Sequence, residues 1–402
     1  MQATPIHTGS DPALLLDWLE ESRRHEQACV LWSSGLEDAH GRWLGLAGFG
    51  AKTEYFQLSE LPADRLLMGL TSYEWKNELH GLSSRHQLRF AWPDCWMFEP
   101  LSWQGLDRKG HFQGEPLSRV QETVLPLEPV LGTWNQSSSP DSYKEVVKRL
   151  RQHIIDGDFY ELNYCVAFEA SAELDAQSIF ADLVRVSPAP FACFVKRGNL
   201  YLMSSSPERF LQKRGSVLRS QPIKGTKKRT AEQSEWEARE LEQSEKDRAE
   251  NIMIVDLVRN DLSRVCKAGT VKVEELCKVY SFEHVHQMIS TISGECQGSM
   301  GLQDIWKATF PMGSMTGAPK KTVMEHIDRY EDFARGLYSG SVGWIWGEDF
   351  DFNVVIRALQ YDADERRLGY QVGGAITFDS SPHAEYQECL DKAAGIRGAL
   401  GL

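Results

Sequence analysis

Two pairs of carboxylates, one lysine and one arginine are the residues of this 402-residue sequence whose types and spacing could do chemistry. Asp247 and Glu250, in EKDRAEN, and Glu385 and Glu388, in AEYQECL, stand at i, i+3 spacing, which puts both acids of a pair on one helix face. Four oxygen donors converging from two helices would suit Mg2+, a hard cation that keeps waters for a substrate to displace. The ordinary alternative is that acids in a first helical turn answer the helix dipole, and that Glu388 with Lys392 is a surface i, i+4 pair. Lys224 lies in QPIKGT, between Ile223, an apolar wall, and Gly225, which allows close backbone approach. An amine desolvated there would lose its proton near neutral pH and become a nucleophile. A solvated lysine opening the basic run Lys227, Lys228, Arg229 is the plainer alternative.

Three further features point to an anionic ligand. Arg357 is the lone charge among Val354, Val355, Ile356, Ala358 and Leu359, and a buried arginine needs a partner, either a structural carboxylate or a bound one. Gly373 and Gly374, read as lying between a strand and the acidic helix, can offer bare backbone N–H donors, or simply make a tight turn. GSMTGAPK has the composition of an anion-holding loop entering a helix, but it lacks the GxxxxGK[ST] spacing of a phosphate-binding P-loop. His286 reads by pattern as a hydrogen-bonded core or edge histidine.

The elements that must position these residues follow from periodicity and caps. A hairpin of strands over 208–213 and 216–223, turning at Arg214-Gly215, ends on Lys224. Residues 232–266 form one long helical region, acidic and solvated like a mobile lid at first, then apolar. Ser139 and Pro140 start a helix that Gly157 stops, and 159–169 alternates as a strand with Glu161 on its polar face. Helices over 176–186, 302–309 and 321–330 and strands over 191–196, 200–205 and 270–279 complete the middle. A meander over 336–346, 352–361 and 367–376 leads to a final helix from Ser381. Residues 1–130 are tryptophan-rich and mainly strand, after an early helix capped by Ser10 or Asp11 with Pro12 at its start. Linker composition over 132–140 divides a β-rich region, 1–135, packed intimately on 136–402.

The formal charge of −13 argues against a nucleic-acid partner. No apolar run approaches a membrane span, and no export signal is visible. The eight cysteines form no CxxC pair and read as reduced cytoplasmic thiols.

Taken together, SSSPERF, QPIKGT, EKDRAENIMIVDLVRNDLSRVC, FPMGSMTGAPK, YSGSVGW, DFNVVIRALQ and QVGGAITFDSSPHAEYQECLDKA resemble, in order, the signature blocks of the chorismate-utilising enzymes. The resemblance spans about residue 139 to the C-terminus. It implies an α+β fold, with a large two-layered core of mainly antiparallel sheets flanked by helices. The lysine of PIKGT, where anthranilate-forming members typically carry alanine, is similar to the subgroup that aminates chorismate at C4 on the 4-aminobenzoate branch of folate synthesis. The resemblance implies Glu250 and Glu388 as principal Mg2+ ligands, with Asp247 and Glu385 beside them. It implies Glu208 as the acid protonating the departing C4 hydroxyl and Lys224 as the nucleophile at C2. It further implies that Arg357, Tyr338, Gly373, Gly374 and Lys392 hold substrate carboxylates, that Ser314 is the hydroxyl-bearing loop position, and that His286 contacts the ring. Ammonia would come from a separate glutamine amidotransferase subunit. Glu161 stands where water-adding relatives carry a lysine and amine-transferring ones usually a glutamine, which speaks against water addition and leaves the role of Glu161 open. The competing expectations are anthranilate formation, by amination at C2 with loss of pyruvate, and a non-catalytic chorismate-binding subunit.

Overall fold

The structure is a computed structural model describing residues 11–36, 38–116, 128–230, 232–282 and 285–402. Its helices begin where their caps dictate. Asp11 accepts a hydrogen bond from the Ala13 amide and starts Pro12–Arg23, while Ser10 lies outside the described residues. Ser139 likewise caps Pro140–Asp156, which Gly157 closes in a left-handed conformation.

The strands join into one antiparallel ladder. From Val285–Glu295 it passes to Val217–Gln221, Arg209–Arg214, Asp349–Asn353 and Ser341–Trp346. It continues through Leu66–Thr71, Cys95–Asp107, Trp43–Tyr55 and Gln27–Trp32. It then runs through Phe191–Arg197, Leu200–Ser206, Ala358–Asp362 and Arg367–Ile376 to Glu161–Glu173. A twisted ladder of this many strands cannot stay flat and turns back on itself as two layers. Helices cover both sides. Tyr143, Val147 and Leu150 join Phe180, Leu183 and Cys389 in one apolar cluster, and Ile254, Val258 and Leu262 join Ile305 and Trp306 in another. Strands before residue 110 feed both clusters, through Val30 and Phe49 in the first and Leu67 and Met97 in the second.

Four sequence expectations change. The hairpin of Arg209–Arg214 with Val217–Gln221 forms, but it ends at Gln221: Pro222 interrupts the ladder, and Lys224 lies on a separate strand, Ile223–Lys228, paired to Val285–Glu295. The acidic helical region is two helices, Ser234–Gln243 and Glu245–Ser263, because Ser244 leaves helical geometry to cap the second with its hydroxyl. The first is solvated along most of its length, as expected, and is anchored by Leu241, which packs with Cys277 and Met288. The apolar run around Arg357 is broken, Asp349–Asn353 ending and Ala358–Asp362 starting on either side of a left-handed Arg357. Gly373 and Gly374 lie inside the strand Arg367–Ile376, in register with Cys165 and Tyr164, rather than in a turn. Among the described residues no helix is long and apolar enough to cross a membrane, and all eight cysteines are free and buried.

Candidate active site

The two ends of the ladder meet at one ion pair. Val285–Glu295 carries the Lys224 strand, Glu161 opens the strand at the other end, and the Lys224 ammonium donates to Glu161 Oε1 at 2.7 Å. Both groups are withdrawn from water, with Lys224 10% and Glu161 1% exposed in their side chains. Glu161 is therefore not on a solvated face, because the whole first half of its strand is buried on both sides. Burial pushes the Lys224 pKa down, but the carboxylates of Glu161, Glu250 and Glu208 outweigh it, and the amine stands above the ordinary lysine value. The expectation of an amine neutral by desolvation is thus corrected: the resting lysine is an ammonium held by acids. Gly225 serves this arrangement twice. Its φ of +88° suits glycine, and a Cβ there would sit 3.0 to 3.1 Å from the Asp247 side chain.

Glu208 is a different kind of acid. It follows the strand Leu200–Ser206 after Pro207, is 5% exposed, and accepts a hydrogen bond from Ser314 Oγ at 2.6 Å. Burial pushes its pKa up to about 7, against the Ser314 hydroxyl and the charge of Lys224. A carboxyl so placed can carry a proton at neutral pH and give it up. Ser314 comes from the single turn Gly313–Met315 of the glycine-rich loop. That loop is pinned against the Glu161 strand: Gly317 and Ala318 pair with Leu162 and Glu161, and a Cβ on Gly317 would overlap the Glu161 carbonyl.

The second acid group gathers at the mouth. Asn251 donates to the Met288 carbonyl at 3.3 Å and accepts from Ser290, fixing the Glu245–Ser263 helix on the strand beneath it. Pro382–Lys392 is seated by Cys389 against the Tyr143 hydroxyl and by Lys392 donating to the Gly373 carbonyl at 2.9 Å. Between these helices, Lys246 Nζ lies 3.8 Å from Glu250 and 3.7 Å from Glu385. Glu385 Oε2 and Glu388 Oε1 would stand 3.4 and 3.5 Å from a Cβ on Gly374, so the glycine forms the floor under both carboxylates. Burial raises Glu250 to about 7 against Lys224, with Glu161 and Glu388 adding to the rise. Glu385 is also raised, by burial and then by Glu388, whereas Lys392 and Lys246 hold Glu388 low despite its burial. Asp247 sits a turn earlier, its carboxylate taken by the Ser244 hydroxyl at 2.5 Å. All-oxygen donors are of the type a hard divalent cation takes, although among the described residues no three of these oxygens lie within 4.8 Å of one another. Glu385 Oε1 is buried with no hydrogen-bond partner, and the acids repel one another in its surroundings.

Of the remaining predicted residues, Arg357 is half-buried and, among the described residues, its guanidinium makes no ion pair or hydrogen bond; desolvation alone lowers its pKa. A charge kept unpaired at that cost is available to an anion. Tyr338 is buried, its hydroxyl 3.9 Å from Cys165 Sγ. The His286 ring bonds to the hydroxyls of Ser281 at 2.9 Å and Ser234 at 3.4 Å. Gly373 has its neighbour strand so close that a Cβ would strike Cys165 Sγ.

Sequence reasoning missed Arg335 and Glu331. They pair at 2.6 Å with both side chains 1% exposed. Arg335 also donates to the carbonyls of Met315 at 2.7 Å and Asn163 at 2.8 Å, and Glu331 accepts from the Cys165 amide at 2.9 Å. This pair holds the Ser314 loop against the Glu161 strand. Its i, i+4 spacing was the available signal, but that spacing commonly marks an exposed pair.

Architecture of this kind is that of anthranilate synthase component I from Streptococcus pneumoniae, whose solved structure superposes with a TM-score of 0.77 at 23% identity, over 90% of this chain and 93% of that one. The chorismate binding enzyme family matches residues 16–398, and the chain belongs to that family. Aminodeoxychorismate synthase component 1 of Bacillus subtilis is 36% identical over 274 residues, 67% of this chain. The match spans 58% of that relative's length. An anthranilate synthase component I-like protein of a Synechocystis species is 32% identical over 366 residues, covering 90% of this chain and 73% of its own.

Proposed function

We propose that this chain aminates chorismate at C4 with ammonia, giving 4-amino-4-deoxychorismate for the 4-aminobenzoate branch of folate synthesis. The observation carrying the proposal is the buried Lys224, held by Glu161 and within the field of a Glu208 whose pKa is about 7. Lys224 passes its proton to Glu161, 2.7 Å away, and its free amine attacks C2. The two ring double bonds shift towards C4, and the C4 hydroxyl leaves as water with the proton of Glu208. Ammonia then attacks C4, the double bonds shift back, and Lys224 departs from C2. Net substitution at C4 results, and the enolpyruvyl group is retained. Arg357 takes a substrate carboxylate as the partner it otherwise lacks. Glu250 and Glu388, with Glu385 and Asp247, would hold Mg2+, which supplies Lewis-acid polarisation of a substrate carboxylate.

The name "component 1" of the Bacillus relative supports a separate glutamine amidotransferase subunit as the ammonia source. The free, buried cysteines fit a reducing compartment, and we place the chain in the cytoplasm. The Synechocystis relative favours a second reading, amination at C2 with pyruvate elimination to anthranilate. Purified protein with chorismate, Mg2+ and ammonium at mildly alkaline pH, with products identified by mass, separates these. Aminodeoxychorismate is expected. Anthranilate as main product overturns the assignment, and absence of turnover leaves a chorismate-binding subunit.

A further inference from the structure

Apart from the Lys224 site and its acids, two helices and the turn between one of them and the Glu161 strand bring three metal-binding side chains to one point. His153 lies in the last turn of Pro140–Asp156, Asp158 two residues past its end, and His326 on Lys320–Tyr330. One ligand atom from each lies within 4.8 Å of the others, and among the described residues this is the one such trio of His, Cys, Asp or Glu. His153 Nδ1 is 2.6 Å from Asp158 Oδ2, and the two imidazole rings are 4.7 Å apart, edge to face. His326 Nδ1 is buried and has no hydrogen-bond partner. Phe159 packs on His326 at 5.0 Å, and the Tyr330 hydroxyl meets His153 Nε2 at 2.7 Å, so both rings are oriented from behind. Asp158 is 47% exposed and His153 23% exposed, leaving a way in from solvent.

Two imidazoles set edge to face with a ring nitrogen left unpaired do not satisfy each other, as a structural histidine pair would. We propose that His153, His326 and Asp158 form a site for a transition-metal dication, Zn2+ being the closest fit, separate from the oxygen-rich acids of Asp247, Glu250, Glu385 and Glu388. Two imidazole nitrogens and one carboxylate are the donor set of Zn2+ rather than of Mg2+ or Ca2+, and the fourth position is open to water. The site is a clamp. Asp158 precedes Glu161 by three residues, and His326 lies on the helix that follows the Ser314 loop, so an ion there ties together the two segments that place Glu161 and Ser314. It takes no part in the amination and stands or falls independently of it.

The test uses chelator-stripped full chain in millimolar Mg2+, which occupies the acid cluster, titrated with Zn2+ against a chromophoric chelator. One equivalent should bind more tightly than about 10 μM, and Asp158→Asn and His326→Gln should each weaken it at least about tenfold. Glu388→Gln should leave it unchanged. Zn2+ should raise the wild-type Tm by about 2 °C or more and fail to do so in Asp158→Asn. Asp158 is a half-exposed loop residue, so its variant decides the matter even where His326→Gln fails to fold. Affinity weaker than about 10 μM, a loss below tenfold in Asp158→Asn, or a loss in Glu388→Gln overturns the proposal.

Discussion

Glu161→Gln tests the electrostatics at the centre of the site. The substitution keeps the shape of the side chain and removes the charge 2.7 Å from the Lys224 ammonium. An opposite charge at that range raises a lysine pKa by about 1–3 units, equivalent to roughly 1.4–4 kcal/mol in favour of the protonated form. Glu250 and Glu208 remain in the variant, and so does the burial that lowers the amine. The Lys224 pKa should therefore fall by about 1–3 units. Trace acetylation of Lys224 across a pH series, read by mass spectrometry without substrate, reports the free amine directly. Its midpoint should move to lower pH by at least about one unit. Turnover at a fixed concentration of free ammonia should fall at the same time, because the proton acceptor is gone while the amine is easier to free. A midpoint that stays within about 0.3 units, or moves up, would show that Glu161 does not hold the proton on Lys224.

Lys224→Ala should abolish C4 amination while leaving chorismate and Mg2+ binding, measured by calorimetry, within a few-fold; near-normal rates remove Lys224 from the chemistry. Glu208 has a folded pKa of about 7 against 4.5 ordinarily, so its proton is present below pH 7 and lost above it. Single-turnover loss of the C4 hydroxyl should fall about tenfold per pH unit on that limb, and a rate flat from pH 7 to 9 assigns the acid elsewhere. Arg335→Ala strands Glu331 in the interior and should cost about 3–5 kcal/mol in denaturant unfolding, with Arg335→Met/Glu331→Gln costing less. A loss below about 1 kcal/mol denies the pair its role. Asp38, in spite of its burial, is held at about 2, below its ordinary 3.8, by Arg209 and Arg108. Its contribution of roughly 2 kcal/mol is present above pH 4 and lost as pH falls towards 2, so Asp38→Asn should flatten acid unfolding there. An unchanged acid limb refutes it.

Sequence alone determined the local structure and the inventory of chemical groups. Caps at Asp11 and Ser139 and the stop at Gly157 are contained in a few neighbouring residues, and so were legible. So was the i, i+3 pairing of Asp247 with Glu250 and of Glu385 with Glu388, since helix geometry sets it whatever the helix packs against. Tertiary structure decided protonation and contact. Whether Lys224 is an amine or an ammonium depends on carboxylates 63 residues earlier, at Glu161, and 26 later, at Glu250, and no local pattern encodes a field from so far along the chain. Arg335 and Glu331 look in sequence like a surface pair, and only the closing of the ladder around them makes them the brace between loop and strand. His326 reaches His153 and Asp158 for the same reason: it lies 168 residues beyond Asp158 until the fold brings its helix to them. Charge interactions act through space, and which charges share a space is settled by long-range strand pairing and burial.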